Sequence, residues 1–340
     1  MFDSFIKFFI ILIFIFKISE FKTNSDKTKM NIKNVEKELK QTKETLNIYK
    51  ELLQLYIENR EKFYIKGREY IMKQEGKIYN ESNIVTFQDK LNYLLIHESS
   101  EDKADIVDKI QLRNYSKKIL GKDICVPILK IYNDANEINL DELPEKFVLK
   151  CNHGSEMNII CNNKSKFNLD EAKHNLNNWM NINYGLIGFE YQYINVKRKI
   201  FAEEFLDDDI IDYKFNCFNG EPKFIRVKRH INGNNINNFY DLNWTLLNIV
   251  FNLTDYIRDP KIKFKKPKNL KKMIYYARLL SSDFCFCRVD FYEVNKKLFL
   301  GELTFSPANT KMNYNNQNMR IYLGNLLNIS KIKKPINKEI

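Results

Sequence analysis

From residue 31 to about residue 64, apolar positions fall three and four apart: Ile32, Val35, Leu39, Thr42, Leu46, Tyr49, Leu53, Tyr56 and Phe63, with one position skipped before the last. That spacing winds a stripe along one helix face. It predicts a helix that either pairs two chains as a coiled coil or packs on its own domain. Tyrosines and a threonine are poor seam residues, which favours the second. Beyond Gly76 helix and strand patterns mix. Phe87 to His97 and Asp105 to Leu120 read as helices, the second ended by Gly121, and Val126-Pro127 opens an extended segment. Phe147 to Lys150 reads as a short strand and Glu171 to Trp179 as a helix. Two hairpins follow: Tyr213 to Phe218 turning at Asn219-Gly220 into Pro222 to Val227, and Arg288 to Tyr292 returning as Leu298 to Phe305.

The other marked pattern is at the start. Residues 5–18 are almost wholly apolar, with nine consecutive apolar residues from Phe8 to Phe16. A spanning helix wants about 20 such residues, so this one is short. The length suits a signal-peptide core, but no small-x-small cleavage site follows. An uncleaved anchor or interfacial helix at the membrane surface is the favoured expectation; a cleaved signal and a buried helix stay open. Lysines from Lys22 to Lys40 then place the rest of the chain on the cytoplasmic face. The expected organisation is an anchor or signal-like segment at 1–26, a helical or coiled-coil segment at 27–80, a mixed α/β (α+β) domain at 81–328 and a basic tail at 329–340.

The last hairpin carries the densest chemistry. Alternation puts Val289, Phe291, Phe299, Leu303 and Phe305 on one face, and Arg288, Asp290, Glu302 and Thr304 on the other. Pairing across the turn sets Asp290 opposite Glu302. Two facing carboxylates repel unless something positive lies between them. A hard cation such as Mg²⁺, shared with substrate phosphates, suits that place; so does Arg288 as an ion-pair partner. A second element, Phe147 to Ser155, ends a strand in Lys150 and continues as a small polar loop able to offer N–H groups to phosphate. A third, Phe201 to Leu206, sets two acids, Glu203 and Glu204, in an apolar run. One of them is placed to accept hydrogen bonds from ribose hydroxyls, unless both simply face solvent.

Composition alters this little. The chain has 55 Lys and Arg against 43 Asp and Glu, a formal charge of +12. A polyanionic partner fits that excess, as does a lysine-rich bias of the whole sequence; nothing beyond net charge points to nucleic acid. Six cysteines without a Cys-x-x-Cys pair, and four histidines, give neither a zinc site nor a disulfide scaffold.

The ordered set of segments resembles the TupA-like ATP-grasp family, associated with bacterial cell-surface polymers. The resemblance runs through Ala104-Asp105, Asp108-Lys109 and Arg113 to Tyr115; Leu143-Pro144 and Phe147 to Ser155; Ala202 to Leu206; Asp212 to Gly220; Asn238 to Asp241; and Arg288 to Tyr292 with Gly301 to Phe305. It covers about residues 85–328. It implies two α/β lobes clamping ATP. Lys109 and Lys150 would contact phosphates, under a flap formed by His153, Gly154 and Ser155. Glu203, Glu204, Phe205 and Leu206 would line the adenine and ribose site. Lys214 would face the nucleotide, Asp290 and Glu302 would hold Mg²⁺, and Lys150, Lys214 and Arg288 would serve the chemistry. The implied activity is a carboxylate–amine ligation on a surface-polymer or sugar precursor. Sugar phosphorylation or a role beside glycosyltransferases is the alternative within the fold, and an inactive scaffold, with 31–64 as the candidate dimer segment, is the alternative outside catalysis. Three positions depart from the family: Glu156 follows the flap where Gly is usual, Thr304 stands where Asn is usual, and Pro307 to Thr310 lacks the usual glycines.

Overall fold

The structure is a computed structural model that describes residues 32–98, 103–252, 256–314 and 316–332. The apolar segment 5–18 lies outside the described residues, as do 333–340 of the basic tail. Among the described residues no helix is long and apolar enough to cross a membrane. The chain divides into two compact units, 1–77 and 78–340.

In the first unit the stripe from Ile32 to Phe63 does not follow one helix. Helix α1 (Ile32–Glu58) stops and α2 (Arg60–Gln74) begins at once. Asn59 adopts extended angles, and its side-chain oxygen accepts from the Lys62 N–H at 3.0 Å, a helix N-cap. The chain folds back there. Tyr49 meets Tyr70 with ring centroids 5.8 Å apart, and Tyr56 meets Phe63 at 5.1 Å. Seam residues expected on one continuous face therefore join two helices of the same chain.

The second unit opens with α3 (Phe87–His97), capped by Thr86 and Asp89 in a reciprocal box. The single helix expected over Asp105 to Leu120 is broken into α4 (Ala104–Val107) and α5 (Leu112–Leu120). Asp108 makes the break: its carboxylate accepts from the N–H groups of Ile110 (2.7 Å) and Gln111 (3.3 Å) and from Asn152 Nδ2 (2.8 Å). Gly121, at φ 71°, closes α5.

A four-stranded antiparallel sheet follows, built from β1 (Ile128–Tyr132), β2 (Phe147–Cys151), β3 (Asn158–Cys161) and β4 (Ile200–Glu204) in the order β1-β4-β2-β3. Between β3 and β4 come α6 (Leu169–Met180) and α7 (Tyr184–Gly188). Phe147, Leu149, Cys151, Ile200 and Ala202 pack on Ala172 and Leu176 of α6. Alternation then leaves Val148, Lys150, Phe201 and Glu203 for the opposite face.

The larger sheet contains β5 (Asp212–Phe218), β6 (Glu221–Ile231), β7 (Asn234–Tyr240) and β8 (Leu246–Leu247). After β9 (Phe251–Asn252) and helix α8 (Leu270–Ser281) come β10 (Phe286–Val294) and β11 (Lys297–Thr304), giving the order β11-β10-β5-β6-β7-β8. The chain then forms β12 (Asn313–Tyr314), paired with β9, and α9 (Gln317–Leu326). One face of the large sheet (Phe215, Ile225, Val289, Phe291, Leu300, Leu303) packs on Met273, Ala277 and Leu280 of α8. Part of the other face (Phe218, Phe224, Phe286) is covered by Phe87 and Leu91 of α3 and Leu323 of α9. The rest of it is polar.

Both expected hairpins form, on two-residue turns with both residues at positive φ: Asn219-Gly220 (49° and 82°) and Asn295-Lys296 (51° and 66°). One detail differs. The register slips between Asp290 and Phe291, so Asp290 pairs with Glu302 but Phe291 pairs with Leu300, leaving Gly301 as a bulge. The extra residue reverses alternation, and Leu298 and Leu300 take the core face in place of Phe299.

Candidate functional site

The lobes meet where the chain crosses between them. Cys125 bridges Leu300 of β11, and the Leu300 N–H donates to the Ile124 carbonyl at 2.8 Å. Three residues after Cys125 the chain enters β1. This crossing sets the polar face of the small sheet against the β10–β11 edge of the large one.

Two connected spaces lie between them. One, about 220 Å³, is lined by Val126, Val148, Lys150, Glu203, Glu204, Phe205, Leu206, Asp212 and Tyr292. The narrower one, about 50 Å³, lies among Lys109, Lys150, Glu203, Tyr292, Gly301 and Glu302. Val126, Lys150, Glu203 and Tyr292 are common walls. Hollows of about 280 Å³ over β3 and α6, and about 310 Å³ at Asp105 and Lys199, are as large or larger, but they collect none of the expected residues. We take the joined cleft as the site because chemistry, not volume, decides.

Most expected residues meet there. Lys150 forms an ion pair with Glu203 across the diagonal of β2 and β4. Lys109 reaches the cleft because Asp108 breaks the helix before it; its ammonium donates to the Gly154 carbonyl. Burial lowers the Lys109 pKa, opposed by Glu302 and reinforced by Lys150. Asp290 is fully buried. Arg288 grips it with two bonds of 2.7 Å, and Lys214 donates to it at 2.6 Å. Arg288 also donates to Glu302 (2.8 Å) and Thr304 (3.0 Å), and the Thr304 hydroxyl donates to Glu302 at 3.1 Å. Burial alone would raise the Glu302 carboxyl, but Arg288, Lys109 and Lys214 hold it well below the usual carboxylate range. Lys214 lies a further 3.5 Å from Asp212.

The flap is placed differently from the expectation for His153. Its ring is 1% exposed and donates to the Trp179 carbonyl at 3.1 Å. Burial lowers its pKa to about 4, and nearby Arg198 and Lys109 push the same way. The imidazole is therefore a neutral wedge in the small lobe. Gly154 and Ser155 continue the loop; a Cβ on Gly154 would stand 2.9 Å from Met157 and Tyr184. Glu156 is exposed in left-handed geometry, at φ 61°.

Asp212, Tyr292 and Gly301 belong to the site and were missed as site residues. Asp212 had a readable signal, its two-residue offset from Lys214 along one strand face. Tyr292 and Gly301 had none, because the bulge brings them together: a Cβ on Gly301 would fall 2.7 Å from the Tyr292 ring.

The donor set suits a magnesium ion shared with phosphate. Among the described residues no group of three or more His, Cys, Asp or Glu can hold a metal unaided. A cation beside Glu302, whose side chain is 31% exposed, would need further oxygens from a ligand.

Among solved structures, the chain is similar to N5-carboxyaminoimidazole synthetase from Staphylococcus aureus at 13% identity and TM-score 0.33, over 59% of this chain and 44% of that one. It is similar to D-alanine–D-alanine ligase from Helicobacter pylori at 15% identity and TM-score 0.37, over 66% and 61%. The Bacillus anthracis D-alanine–D-alanine ligase gives 18% identity and TM-score 0.38, over 66% of each chain. The chain thus spans 44% to 66% of these proteins' lengths. No curated protein matches the sequence. The TupA-like ATPgrasp profile matches residues 89–328, which takes in both sheets and every residue of the cleft, and the chain belongs to that family.

Proposed function

We propose that the protein is an ATP- and magnesium-dependent ligase that joins a carboxylate to an amine on a cell-surface polymer or its precursor. The observation that carries this is the continuous cleft. A space at Glu203 to Leu206 sized for a nucleoside leads past Lys109 and Lys150 to the facing carboxylates Asp290 and Glu302.

In this reading Glu203 and Glu204 accept from ribose hydroxyls, and the Phe205–Leu206 backbone meets the adenine edge. Lys109 and Lys150 neutralise phosphate oxygens. Glu302, with Asp290 behind it, would hold magnesium, which supplies charge neutralisation between phosphate groups. Lys214 and Arg288 hold Asp290 in place through its hydrogen bonds, and both help to keep Glu302 ionised. The acceptor carboxylate oxygen bonds to the terminal phosphorus as the bond to ADP breaks. The amine nitrogen then bonds to the acyl carbon, phosphate leaves and the amine proton passes to solvent. The protein's task is position and charge, and no side chain need form a covalent bond.

The test is calorimetry followed by turnover. The purified protein binds Mg-ATP more tightly than ATP, and releases ADP and phosphate only when both a carboxylate and an amine acceptor are present. Absence of nucleotide binding at millimolar ATP sinks the reading. One arrangement favours a second reading, a nucleotide-binding scaffold without turnover: Arg288 already spans Asp290 and Glu302. Binding without turnover on surface-polymer precursors identifies the scaffold.

Residues 5–18 place the protein at the cytoplasmic face of the membrane in this proposal, where ATP is at hand. Membrane fractionation together with an intact native N-terminus supports that, and an exported form starting beyond Ile18 overturns it. A homodimer through 31–64 would use apolar positions left exposed on α1, such as Leu39 and Ile48.

A further inference from the structure

A strap of the large lobe runs from Asp259 into the first turn of α8. Its inward positions are apolar and pinned. Phe264 is buried; its N–H donates to the Tyr240 hydroxyl and its carbonyl accepts from Trp244 Nε1, both at 3.0 Å. Asn238 Nδ2 donates to the Ile262 carbonyl at 2.7 Å, and Pro267 and Leu270 are buried.

The outward positions are lysines. Seven stand between Lys261 and Lys272, all exposed, and no acid occurs between Asp259 and Asp283. Among the described residues none of the seven joins an ion pair, whereas Arg278 close by is held by Glu221 at 2.9 Å. Asn269 Nδ2 donates to the Lys296 carbonyl at 2.8 Å, which brings exposed Lys296 and Lys297 of the hairpin turn to the same edge. A like-charged surface fixed to a rigid backbone is costly to keep unless an opposite surface meets it.

The strap joins the sheet past the nucleoside end of the cleft. Along β10 the cleft residue is Tyr292, two positions on from the buried Asp290 whose partner Glu302 lines the cleft. The next residue, Glu293, accepts from the N–H groups of Lys268 (3.0 Å) and Asn269 (2.7 Å). Arg288 and Thr304 lie in the other direction. With the nucleotide oriented as proposed above, an acceptor approaches from the Arg288 side and does not meet the strap.

We propose that this lysine strap docks the protein on an anionic lipid surface. Ammonium groups are hydrated point charges on flexible stems. They match a plane of mobile headgroup phosphates better than a single phosphate, for which the fork of arginine is the better fit. Their attraction acts within about 8–10 Å of the surface and weakens with salt. The same chain carries the nine-residue apolar run at 8–16 followed by lysines, so a second contact with the same surface is consistent with its sequence.

The experiment is flotation of the full-length protein with vesicles of phosphatidylcholine alone and of phosphatidylcholine with phosphatidylglycerol. The wild type binds the anionic vesicles in excess over the neutral ones, and high salt removes the excess. A variant with Lys265→Glu, Lys266→Glu, Lys271→Glu and Lys272→Glu loses on the order of 1,000-fold of the anionic excess, at about 1 kcal/mol per lysine. It keeps the neutral binding that residues 5–18 supply. The corresponding four Lys→Gln changes lose part of it, and an unaltered unfolding transition shows that the lobe is intact. An equal excess in wild type and variants overturns the proposal, as does wild type that prefers soluble polyglutamate and ignores anionic vesicles. The readout is lipid binding, so failure here is separate from failure of the ligase reading.

Discussion

Asp290 and Glu302 stand directly opposite each other on β10 and β11, and one guanidinium, that of Arg288, donates to both. The pair belongs to a longer row. Asp290 is in register with Lys214 on β5, and Lys214 with Arg226 on β6, so two acids and two cations cross four strands in line. Arg226 is buried with its guanidinium 5.3 Å from the Tyr256 ring centroid. A charged row at this depth, two acids followed by two cations, favours one register, because a one-residue slip would drive it into the apolar face on α8.

The two carboxylates should separate by stability. Asp290 is fully buried under Arg288 and Lys214, whereas Glu302 opens to the cleft. Asp290→Asn leaves two buried cations under-compensated and should cost about 3–5 kcal/mol. Glu302→Gln should cost well under half of that. Both should remove the magnesium dependence of nucleotide binding. Denaturant unfolding and calorimetry read the two effects, and equal destabilisation by both changes would contradict the burial argument.

His153 should make stability depend on pH. Its ordinary value is 6.5 and burial lowers it to about 4, so the unfolded chain binds a proton between those values while the native state does not. The stabilisation is complete above pH 6.5 and is lost as pH falls towards 4. It amounts to about 3 kcal/mol. His153→Gln should flatten unfolding free energy across that window. Glu302 acts lower on the scale. Its depressed carboxyl contributes above its ordinary value of 4.5, and the contribution is lost as pH falls beneath that. A His153→Gln profile as steep as wild type between pH 4 and 6.5 would assign the dependence elsewhere.

Much of this was legible in local pattern. The Asn-Gly turn, the facing of Asp290 and Glu302, and the strand that carries Lys150 follow from period-two alternation and turn chemistry. What escaped was set by single residues whose effect is geometric. The Gly301 bulge turns Phe299 off the core face and brings Tyr292 over the glycine. Asp108 stops a helix because Asn152, far away in sequence, holds its carboxylate in place. Asn59 looks like any polar residue between two helical runs until its cap to Lys62 shows that the chain reverses. His153 shares a loop with Gly154 and Ser155, but its side chain points towards Trp179, which sequence spacing does not reveal.

Gly301→Ala tests the bulge. The new methyl would sit 2.7 Å from the Tyr292 ring, so the ring or the strand must move. The expected cost is about 1–3 kcal/mol, with weaker nucleotide binding because Tyr292 walls both parts of the cleft. Adding Tyr292→Ala removes the obstruction, and the double variant should then lose less stability than the sum of the single ones. Strict additivity would mean that the two residues do not press on each other.

Glu156→Gly separates a hindered enzyme from a scaffold. Glu156 holds φ 61° without the freedom of glycine, on an exposed loop beside Ser155. The left-handed region costs a side-chain-bearing residue about 1–2 kcal/mol, so glycine should stabilise the loop conformation by a similar amount, less what the unfolded chain gains in entropy. It also removes a negative charge from the flap under which phosphates are proposed to lie. Both effects favour nucleotide binding. If the protein is a ligase slowed by this acid, Glu156→Gly should tighten Mg-ATP binding and raise ADP release in the presence of a carboxylate and an amine. If it is a scaffold, binding should tighten while turnover stays absent. Glu156→Gln keeps the side chain and removes the charge, so comparing the two variants divides backbone strain from electrostatics. Weaker binding in both would give Glu156 a positive role in the flap and contradict the view that it hinders.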